Sequence, residues 1–313
     1  MSSIIYGLSP RLDSEDPNIR RSSALVTDTV AAATPGAYLV EYFTWMKYLP
    51  RWMCSWRRYA EGYFRSQCEY FEGLFTDVET RTKEGTQQKC VASNWIENRA
   101  KYGMTDREAA WCATTLYTAG GETTSAQLAW LIEAMVLYPE TQRKAQEEID
   151  KVVGRDRMPT SQDLSILPYV SALVTEVMRW RGVAPLSIPH RLNTDDSYEG
   201  FYIPKDTVVI PNVWALNHDP DVWGPDPDVF RPERHLDKET DQLKKPLPDT
   251  HGDSHVTFGF GRRVCVGKHV ANNSLLIGAV CLLWAMSFSP NDDESGKPIL
   301  PDTFAWIDGS LAL

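Results

Sequence analysis

Apolar residues recur at helical spacing along the middle of the chain and predict one long helix over residues 105–138. Thr105 and Glu108 form a T-x-x-E capping box at its start, and a proline ends the pattern. About 30 residues at a rise of ~1.5 Å per residue would make this helix roughly 45 Å long. Gly120 and Gly121 lie in its middle, where each glycine costs about 1 kcal/mol relative to alanine. The pair therefore predicts a locally weakened helix.

Two shorter helices and a small β region are predicted next. Pro139 and Pro168 can each occupy a first helical position, and Gly154 and Gly182 can end the two helices. The runs SIPHRL and TVVIP are short and rich in β-branched residues, so they predict a small hairpin-like sheet. Prolines then interrupt residues 219–256, which predicts a long irregular loop.

The two ends of the chain predict further helices. Residues 1–100 are rich in aromatic residues and helix formers, and they carry no motif with a known chemistry. The apolar run at residues 275–288 is shorter than the ~18–20 residues that a membrane span needs, so it predicts a buried helix. The fold class is therefore mainly α with a small β region.

Composition narrows the function classes. The chain has 313 residues, of which 42% are hydrophobic and 24% charged, as in a globular protein with a sizeable core. Its net charge of −10 argues against general binding of nucleic acid or of anionic membrane surfaces, which need a basic face. The six cysteines contain no C-x-x-C pair, so neither a zinc ribbon nor a disulfide framework is indicated. No secretory or targeting segment is expected from the residues that follow Met1.

The stretch FGFGRRVCVG at residues 258–267 places one thiol between arginines and the predicted start of a helix. A dinucleotide-binding turn does not fit, because the third glycine of G-x-G-x-x-G is missing and no strand precedes the stretch. A buried structural role is common for a lone thiol, but glycines and arginines make a poor core. A nucleophilic Cys265 would need a base, and His255 and His269 are near in sequence, so this alternative stays open.

A thiolate ligand to haem iron fits the same stretch better. Arg262 and Arg263, together with amide groups at the start of the next helix, would stabilise a thiolate at Cys265. The glycines would let the backbone pass close to a flat macrocycle and donate N–H groups to the sulfur. The stretch matches the pattern F-x-x-G-x-R-x-C-x-G and so resembles the signature of the cytochrome P-450 monooxygenases.

Three further segments resemble motifs of this family, in the family's order. The sequence AGGETT at residues 119–124 is similar to the A-G-x-[DE]-T-T segment of its long central helix. The sequence EVMR at residues 176–179 is similar to its E-x-x-R pair, and FRPER at residues 230–234 is similar to its P-E-R segment. The resemblance covers nearly the whole chain. The sequences around PHRL, GFYIP and FRPERHL resemble those of fungal, microsomal-type members.

The resemblance implies a fold and a set of partners. Residues 1–313 would form a single partial cytochrome P-450-like helical domain, with the oxygen-binding helix at about 105–138 and the haem-binding loop at 258–267. The domain is expected to be truncated at the N-terminus and slightly incomplete at the C-terminus. The family implies haem b (iron protoporphyrin IX), an NADPH-dependent cytochrome P-450 reductase, dioxygen and a lipophilic substrate of secondary metabolism, and it implies no oligomer. It also implies the endoplasmic reticulum membrane, although the N-terminal anchor is absent from this chain, which would otherwise be cytoplasmic.

The resemblance assigns roles around the cofactor. Cys265 would be the axial thiolate ligand of the iron. Arg263 and Arg191 would pair with the haem propionates, and Phe258 would limit the access of water to the sulfur. The full cofactor-binding set is Phe258, Gly261, Arg263, Cys265, Gly267 and Arg191.

The other motif residues receive catalytic or structural roles from the same resemblance. Glu122 and Thr123 would relay protons to bound oxygen, for which an opened turn at the glycine pair would make room. Glu176, Arg179 and Arg234 would form a structural network that fixes the cysteine loop, whereas an isolated E-x-x-R pair contributes only ~0.2–0.5 kcal/mol.

Substrate contacts are expected from apolar positions that correspond to those of the family, namely Leu116, Ala119, Val183, Leu186 and Ile188, with Gly309, Ser310 and Leu311 near the C-terminus. The sequence thus predicts an enzyme that inserts one atom of dioxygen into a lipophilic substrate. The alternative is a truncated, non-catalytic remnant with weak or no haem binding. A haem-thiolate isomerase or dehydratase fits less well, because the predicted acid–hydroxyl relay serves oxygen activation.

Overall fold

A computed structural model of the protein describes residues 1–9, 16–33 and 36–302, and most of them are helical. The chain divides into two compact units, Met1–Glu122 and Thr123–Leu313. The mainly α fold class with a small β region is confirmed. The single domain expected from the sequence stays a prediction.

The first unit is helical. Its helices are α1 (Ser2–Tyr6), α2 (Pro17–Ala33), α3 (Ser55–Lys83), α4 (Val91–Glu97), α5 (Arg99–Tyr102) and the first half of α6 (Asp106–Leu137), with short 3-10 helices at Leu39–Glu41, Thr44–Tyr48 and Arg51–Met53. Its core contains the buried side chains of Tyr6, Phe75, Val78, Ala110 and Ala113. Small residues on α6 let the neighbouring aromatic rings pack closely against that helix.

Helix α6 has the ends that its sequence predicts. The Thr105 amide donates to Glu108 Oε2 at 2.8 Å, and the Glu108 amide donates to Thr105 Oγ1 at 3.2 Å, so the capping box forms. The expected opened turn is wrong, because the helix continues through Gly120 without a break. A Cβ added at Gly120 would lie 2.5 Å from Met1 Cε. The glycine therefore makes room for the side chain of Met1 and leaves the hydrogen bonds of the helix intact.

The second unit contains a helical bundle and a small β region. Its helices are the second half of α6, α7 (Pro139–Val152), α8 (Pro168–Trp180), α9 (Val213–Asn217), α10 (Pro220–Trp223) and α11 (Lys268–Ala285), with 3-10 helices at Leu164–Ile166, Pro232–His235 and Gly261–Arg263. Helices α7, α8 and α11 pack against one another around Leu173, Ala279, Val280 and Leu283. Residues 275–285 of the apolar run predicted as a buried helix form the C-terminal part of α11, whereas residues 286–288 lie beyond its end and Met286 is 54% exposed.

Two short antiparallel pairs form the β region. Strand β1 (His190–Arg191) pairs with β4 (Val208–Val209), and β2 (Asp196–Tyr198) pairs with β3 (Phe201–Ile203). Glu199 and Gly200 join β2 to β3 with φ angles of 50° and 85°, which are typical of a two-residue hairpin turn. This confirms the predicted hairpin-like sheet.

None of the helices in the described ranges combines the length and the apolar character that a bilayer span requires.

Candidate functional site

The carboxylate of Glu176 lies at the centre of a buried cluster of charged side chains. Both Glu176 and Arg179 are 0% exposed, and Arg179 donates to both carboxylate oxygens at 2.8 Å. Arg234 Nε donates to Oε1 at 2.9 Å, and His235 Nε2 donates to Oε2 at 2.8 Å. The three predicted network residues are therefore in contact, with His235 as a fourth member that was not predicted.

The Glu176 carboxylate is kept ionised by the hydrogen bonds that it accepts. Burial alone would raise the pKa of Glu176, but the hydrogen bonds from Arg179 and His235 outweigh burial and lower the pKa to about 2. The other N–H groups of Arg234 donate to the backbone carbonyls of Trp223, Asp226 and Val229, at 2.8–3.0 Å. These charge-assisted bonds hold residues 223–229 of the irregular loop against Arg234.

Asn217 extends this cluster to the segment that precedes the cysteine loop. Its backbone carbonyl accepts a hydrogen bond from Arg179 Nη1 at 2.7 Å. Its side-chain amide accepts from the Val256 amide at 3.1 Å and donates to Thr257 Oγ1 at 3.0 Å. The Thr257 hydroxyl in turn donates to the carbonyl of Met178 in α8 at 2.8 Å. Residues 256–257 are thereby tied to the end of α8.

The cysteine loop at 258–267 starts at this anchored segment and ends at α11. The Cys265 amide donates to the Phe258 carbonyl at 2.8 Å, which closes the loop on itself. Gly259 and Gly261 have φ angles of 81° and 53°, a region that side chains other than glycine rarely adopt. The Phe258 ring packs against the core and lies 5.6 Å from the ring of His255.

The thiol of Cys265 is free and exposed. Within the described part of the chain, the nearby Lys268 amide donates to the Cys265 carbonyl at 3.4 Å and not to the sulfur, so the expected amide donors to the sulfur stay a prediction. A Cβ added at Gly267 would lie 3.8 Å from the sulfur, in ordinary contact. The sulfur is thus available to a ligand from outside the loop.

These features fit a haem group, which the family resemblance implies. Haem iron of the haem-thiolate type takes a cysteine thiolate as its soft donor, and Cys265 is not engaged in a disulfide. Positions for a Cβ at Gly259 and Gly261 meet no heavy atom within 4 Å, so the backbone presents an open face on which a flat macrocycle could lie. Arg263 is exposed on the same loop and could pair with a propionate.

Arg191 is placed less clearly for such a role. It lies in β1 with its side chain 68% exposed, and its Nε is 3.6 Å from Asp206 Oδ1. An exposed pair at this distance is weak, so the guanidinium can exchange this partner for another anion. Its role at a propionate stays a prediction.

The predicted oxygen-relay pair follows directly on the glycines of α6. Glu122 and Thr123 are both partly buried. Consecutive residues of a continuous helix point about 100° apart, so the two side chains do not face each other. Their joint role in proton transfer stays a prediction.

The predicted substrate residues differ in their surroundings. Leu116 packs against the core of the first unit, and Ala119 is exposed. In the second unit Val183 is partly buried, and Leu186 and Ile188 are exposed. Residues 309–311 lie outside the described residues.

Comparison with known proteins identifies the class and then the family. The described residues belong to the class of mainly helical proteins, and in them a buried Glu-Arg-Arg cluster is linked through Asn217 to the segment before a cysteine loop. The sequence pattern of the family described as Cytochrome P-450 matches residues 2–311, so the chain belongs to the cytochrome P-450 family.

Several named relatives come from fungi. A cytochrome P-450 monooxygenase of Armillaria gallica is 45% identical over 99% of this chain and 59% of its own length. Cytochrome P-450 monooxygenase 58 of Postia placenta is 44% identical over the same shares of the two chains. Cytochrome P-450 monooxygenase iboC of Amanita muscaria is 36% identical over 90% of this chain and 58% of its own length. The chain therefore spans about 59% of the length of the Armillaria gallica and Postia placenta relatives named above.

Sequence reasoning missed His235, which bonds to Glu176, and Asn217, which bonds to Arg179 and to residues 256–257. His235 follows the recognised P-E-R segment directly, and this adjacency was the available signal. Asn217 lies 38 residues from Arg179, its hydrogen-bond partner, and belongs to no pattern that would single it out.

Proposed function

We propose that this chain forms the haem-binding part of a monooxygenase that inserts one atom of dioxygen into a lipophilic substrate. The observation that carries the proposal is the free, exposed Cys265 on a loop whose N-terminal end is anchored to a buried ionic cluster. The family membership and the named relatives support the same reaction class. Electrons would come from an NADPH-dependent cytochrome P-450 reductase, and the endoplasmic reticulum membrane is the location that the family implies.

Each predicted site residue would have a separate role in this reaction. Bound haem would supply the activation of dioxygen. Cys265 Sγ would hold the iron, and Phe258 would keep water from the sulfur. Arg263 and Arg191 would orient the group through its carboxylates. Thr123 and Glu122 would hold and move protons on the oxygen side.

The apolar residues Val183, Leu186 and Ile188 would contribute to substrate binding. Leu186 and Ile188 are 54% and 76% exposed, so they offer apolar surface that a lipophilic molecule could cover. Leu116 and Ala119 are proposed contacts on α6.

The direct test is haem reconstitution followed by reduction under carbon monoxide. The wild-type chain is expected to show the strongly red-shifted band of thiolate-ligated haem, and Cys265→Ala is expected to lose it. Cys112→Ala is the matched control, because Cys112 is also a free, exposed cysteine but lies on α6. Well-folded wild-type protein without haem would overturn the proposal and favour a non-catalytic remnant. Equal haem binding by Cys265→Ala would remove the assigned ligand.

A further inference from the structure

The segment before the cysteine loop contains a strained turn. His251, Gly252 and Ser254 have φ angles of 53°, 91° and 60°, and two of these residues carry side chains that disfavour this region. Backbone of this kind persists only where surrounding contacts hold it in place. The turn at residues 250–254 must therefore be fixed by its neighbours.

A buried clasp, formed by Asp253, Lys268 and Asn272, fixes this turn to the first two turns of α11. The Asp253 side chain is 8% exposed and accepts from Lys268 Nζ at 3.0 Å and from Asn272 Nδ2 at 2.8 Å. Lys268 Nζ also donates to the His251 carbonyl, and its own side chain is only 13% exposed. The hydroxyl of Thr250 accepts from the Ser254 amide at 3.0 Å, inside the turn. An ion pair this well shielded from water holds its two elements together more strongly than a surface pair does.

The position of the clasp in the chain gives it a function. Asp253 precedes the loop at 258–267 by five residues, and Lys268 directly follows it. Asn217 already fixes residues 256–257 to the end of α8. The clasp fixes the other end of the loop, because it binds the start of α11 to the same anchored segment.

We propose that Asp253 is a positioning residue for Cys265: its carboxylate joins the turn at 250–254 to the start of α11 and thereby sets the distance between the two ends of the cysteine loop. This inference deepens the proposed function and rests on it, because the purpose of the clasp is to present the sulfur to haem iron. Asp253 itself would not touch the cofactor.

The first test needs no haem and measures amide hydrogen exchange at Cys265, whose N–H is bonded to the Phe258 carbonyl. Asp253→Asn keeps the shape of the side chain and removes its charge. We expect the Cys265 amide to exchange about tenfold faster in this variant, while amides in the core around Leu173 keep their protection. Lys268→Met should give the same local change, and the double variant should be no worse than the more affected single variant, because the two side chains act as one pair.

Asp150→Asn is the matched control, since Asp150 pairs with Arg155 at 2.7 Å on an exposed surface of the same unit. This control should leave exchange at Cys265 unchanged. Unchanged exchange at Cys265 in Asp253→Asn would overturn the proposal. Additive effects in the double variant, or a loss of protection throughout the core, would also overturn it, because either result would make Asp253 a general stabilising residue.

The second test uses haem-loaded protein. Asp253→Asn is expected to lower the fraction of the red-shifted carbon monoxide band in favour of a band at shorter wavelength, whereas Asp150→Asn keeps the wild-type fraction. An unchanged fraction would overturn the link to the thiolate. If the wild-type chain takes up no haem, the proposed function fails, while the exchange test still decides whether Asp253 holds the loop.

Discussion

The imidazole of His255 is buried beside the cysteine loop, with 2% of the residue exposed. Its Nδ1 accepts a hydrogen bond from the Thr257 amide at 3.3 Å, so a neutral ring carries its proton on Nε2. Burial lowers the pKa of His255 to about 4, and the nearby charges of Asp253, His235, Arg179 and Glu176 change it by smaller amounts. A single residue thus makes the region around the loop sensitive to acid.

We expect the free energy of unfolding to fall as the pH drops from 6.5 towards 4, because His255 in the unfolded chain gains a proton at its ordinary pKa of 6.5 while the folded form stays neutral to about pH 4. The contribution of this residue is complete above pH 6.5 and declines by about 1.4 kcal/mol per pH unit below it. Urea unfolding of His255→Gln between pH 7 and pH 5 should show a shallower decline than wild type. His269→Gln, at an exposed position, is the control. A decline of equal slope in His255→Gln would contradict the assignment.

The hydroxyl of Thr123 is proposed to move protons on the oxygen side, and this role can be tested by a single substitution. We expect Thr123→Ala to keep the red-shifted carbon monoxide band, because the thiolate ligand is unchanged. The variant should release more of the consumed reducing equivalents as peroxide, since the hydroxyl that is proposed to donate protons on the oxygen side would be missing. Thr115→Ala, which removes an exposed hydroxyl elsewhere on α6, should behave as wild type. Equal peroxide yields in Thr123→Ala and wild type would count against the proton-relay role.

At the scale of the element, the two glycines of α6 have different surroundings. A Cβ at Gly120 would meet the side chain of Met1, whereas a Cβ at Gly121 would lie 3.9 Å from Ser22 Oγ, an ordinary contact. Neither glycine has a positive φ. The backbone of the continuous helix therefore does not require a glycine at position 121. Substitution by alanine tests whether this residue matters for stability.

We expect Gly121→Ala to raise the free energy of unfolding by about 1 kcal/mol, because alanine stabilises a helix interior without a clash at this position. Gly120→Ala should gain less, since Met1 must move. Gly62→Ala in α3, where nothing lies within 4 Å of the added Cβ, is the control for the intrinsic gain. Thermal and urea unfolding measure these differences. A destabilised Gly121→Ala would show that the described helix geometry is wrong at this point.

At the scale of the whole molecule, the carboxylate of Glu176 joins α8 to the irregular loop through Arg234, His235 and the amide of Arg231, which donates to it at 2.9 Å. Residues far apart in sequence thus share one buried anion. The cooperativity of the second unit should depend on it, because removal of one partner leaves buried cations without compensation.

We expect Glu176→Gln to destabilise the protein by about 3–5 kcal/mol and to reduce haem retention. The sign of its pH dependence follows from a pKa of about 2 in the folded chain against the ordinary value of 4.5 for a glutamate. The stability from the carboxylate is complete above pH 4.5 and is lost as the pH falls towards 2, so this acid-dependent part should be missing in the variant. Glu140→Gln, in an exposed pair with Arg143, should change the urea midpoint little. A Glu176→Gln midpoint close to that of wild type would contradict a structural role for the cluster.

The sequence predicted those features that are encoded locally. The capping box, the prolines at the starts of α7 and α8 and the glycines of the cysteine loop each constrain their own backbone, so their positions could be found without a structure. The Glu176, Arg179 and Arg234 cluster came from the family resemblance, because an E-x-x-R spacing alone predicts only an exposed pair. His235 lies 59 residues from Glu176, and the contacts of Asn217 and Asp253 depend equally on tertiary packing. The opened turn was wrong because a glycine pair is compatible with both a break and a close side-chain contact.

The side-chain amide of Gln142 in α7 forms two hydrogen bonds with the backbone of the segment that follows α11, as a neighbouring β-strand would. It donates to the Phe288 carbonyl at 2.9 Å and accepts from the Phe288 amide at 2.7 Å. A chain that ended before Phe288 would leave this 5%-exposed glutamine without these two partners. Shortened versions designed for crystallisation should therefore retain Phe288. Slow cleavage of the segment between Ala285 and Phe288 in limited proteolysis would indicate that the bundle of α7, α8 and α11 has assembled.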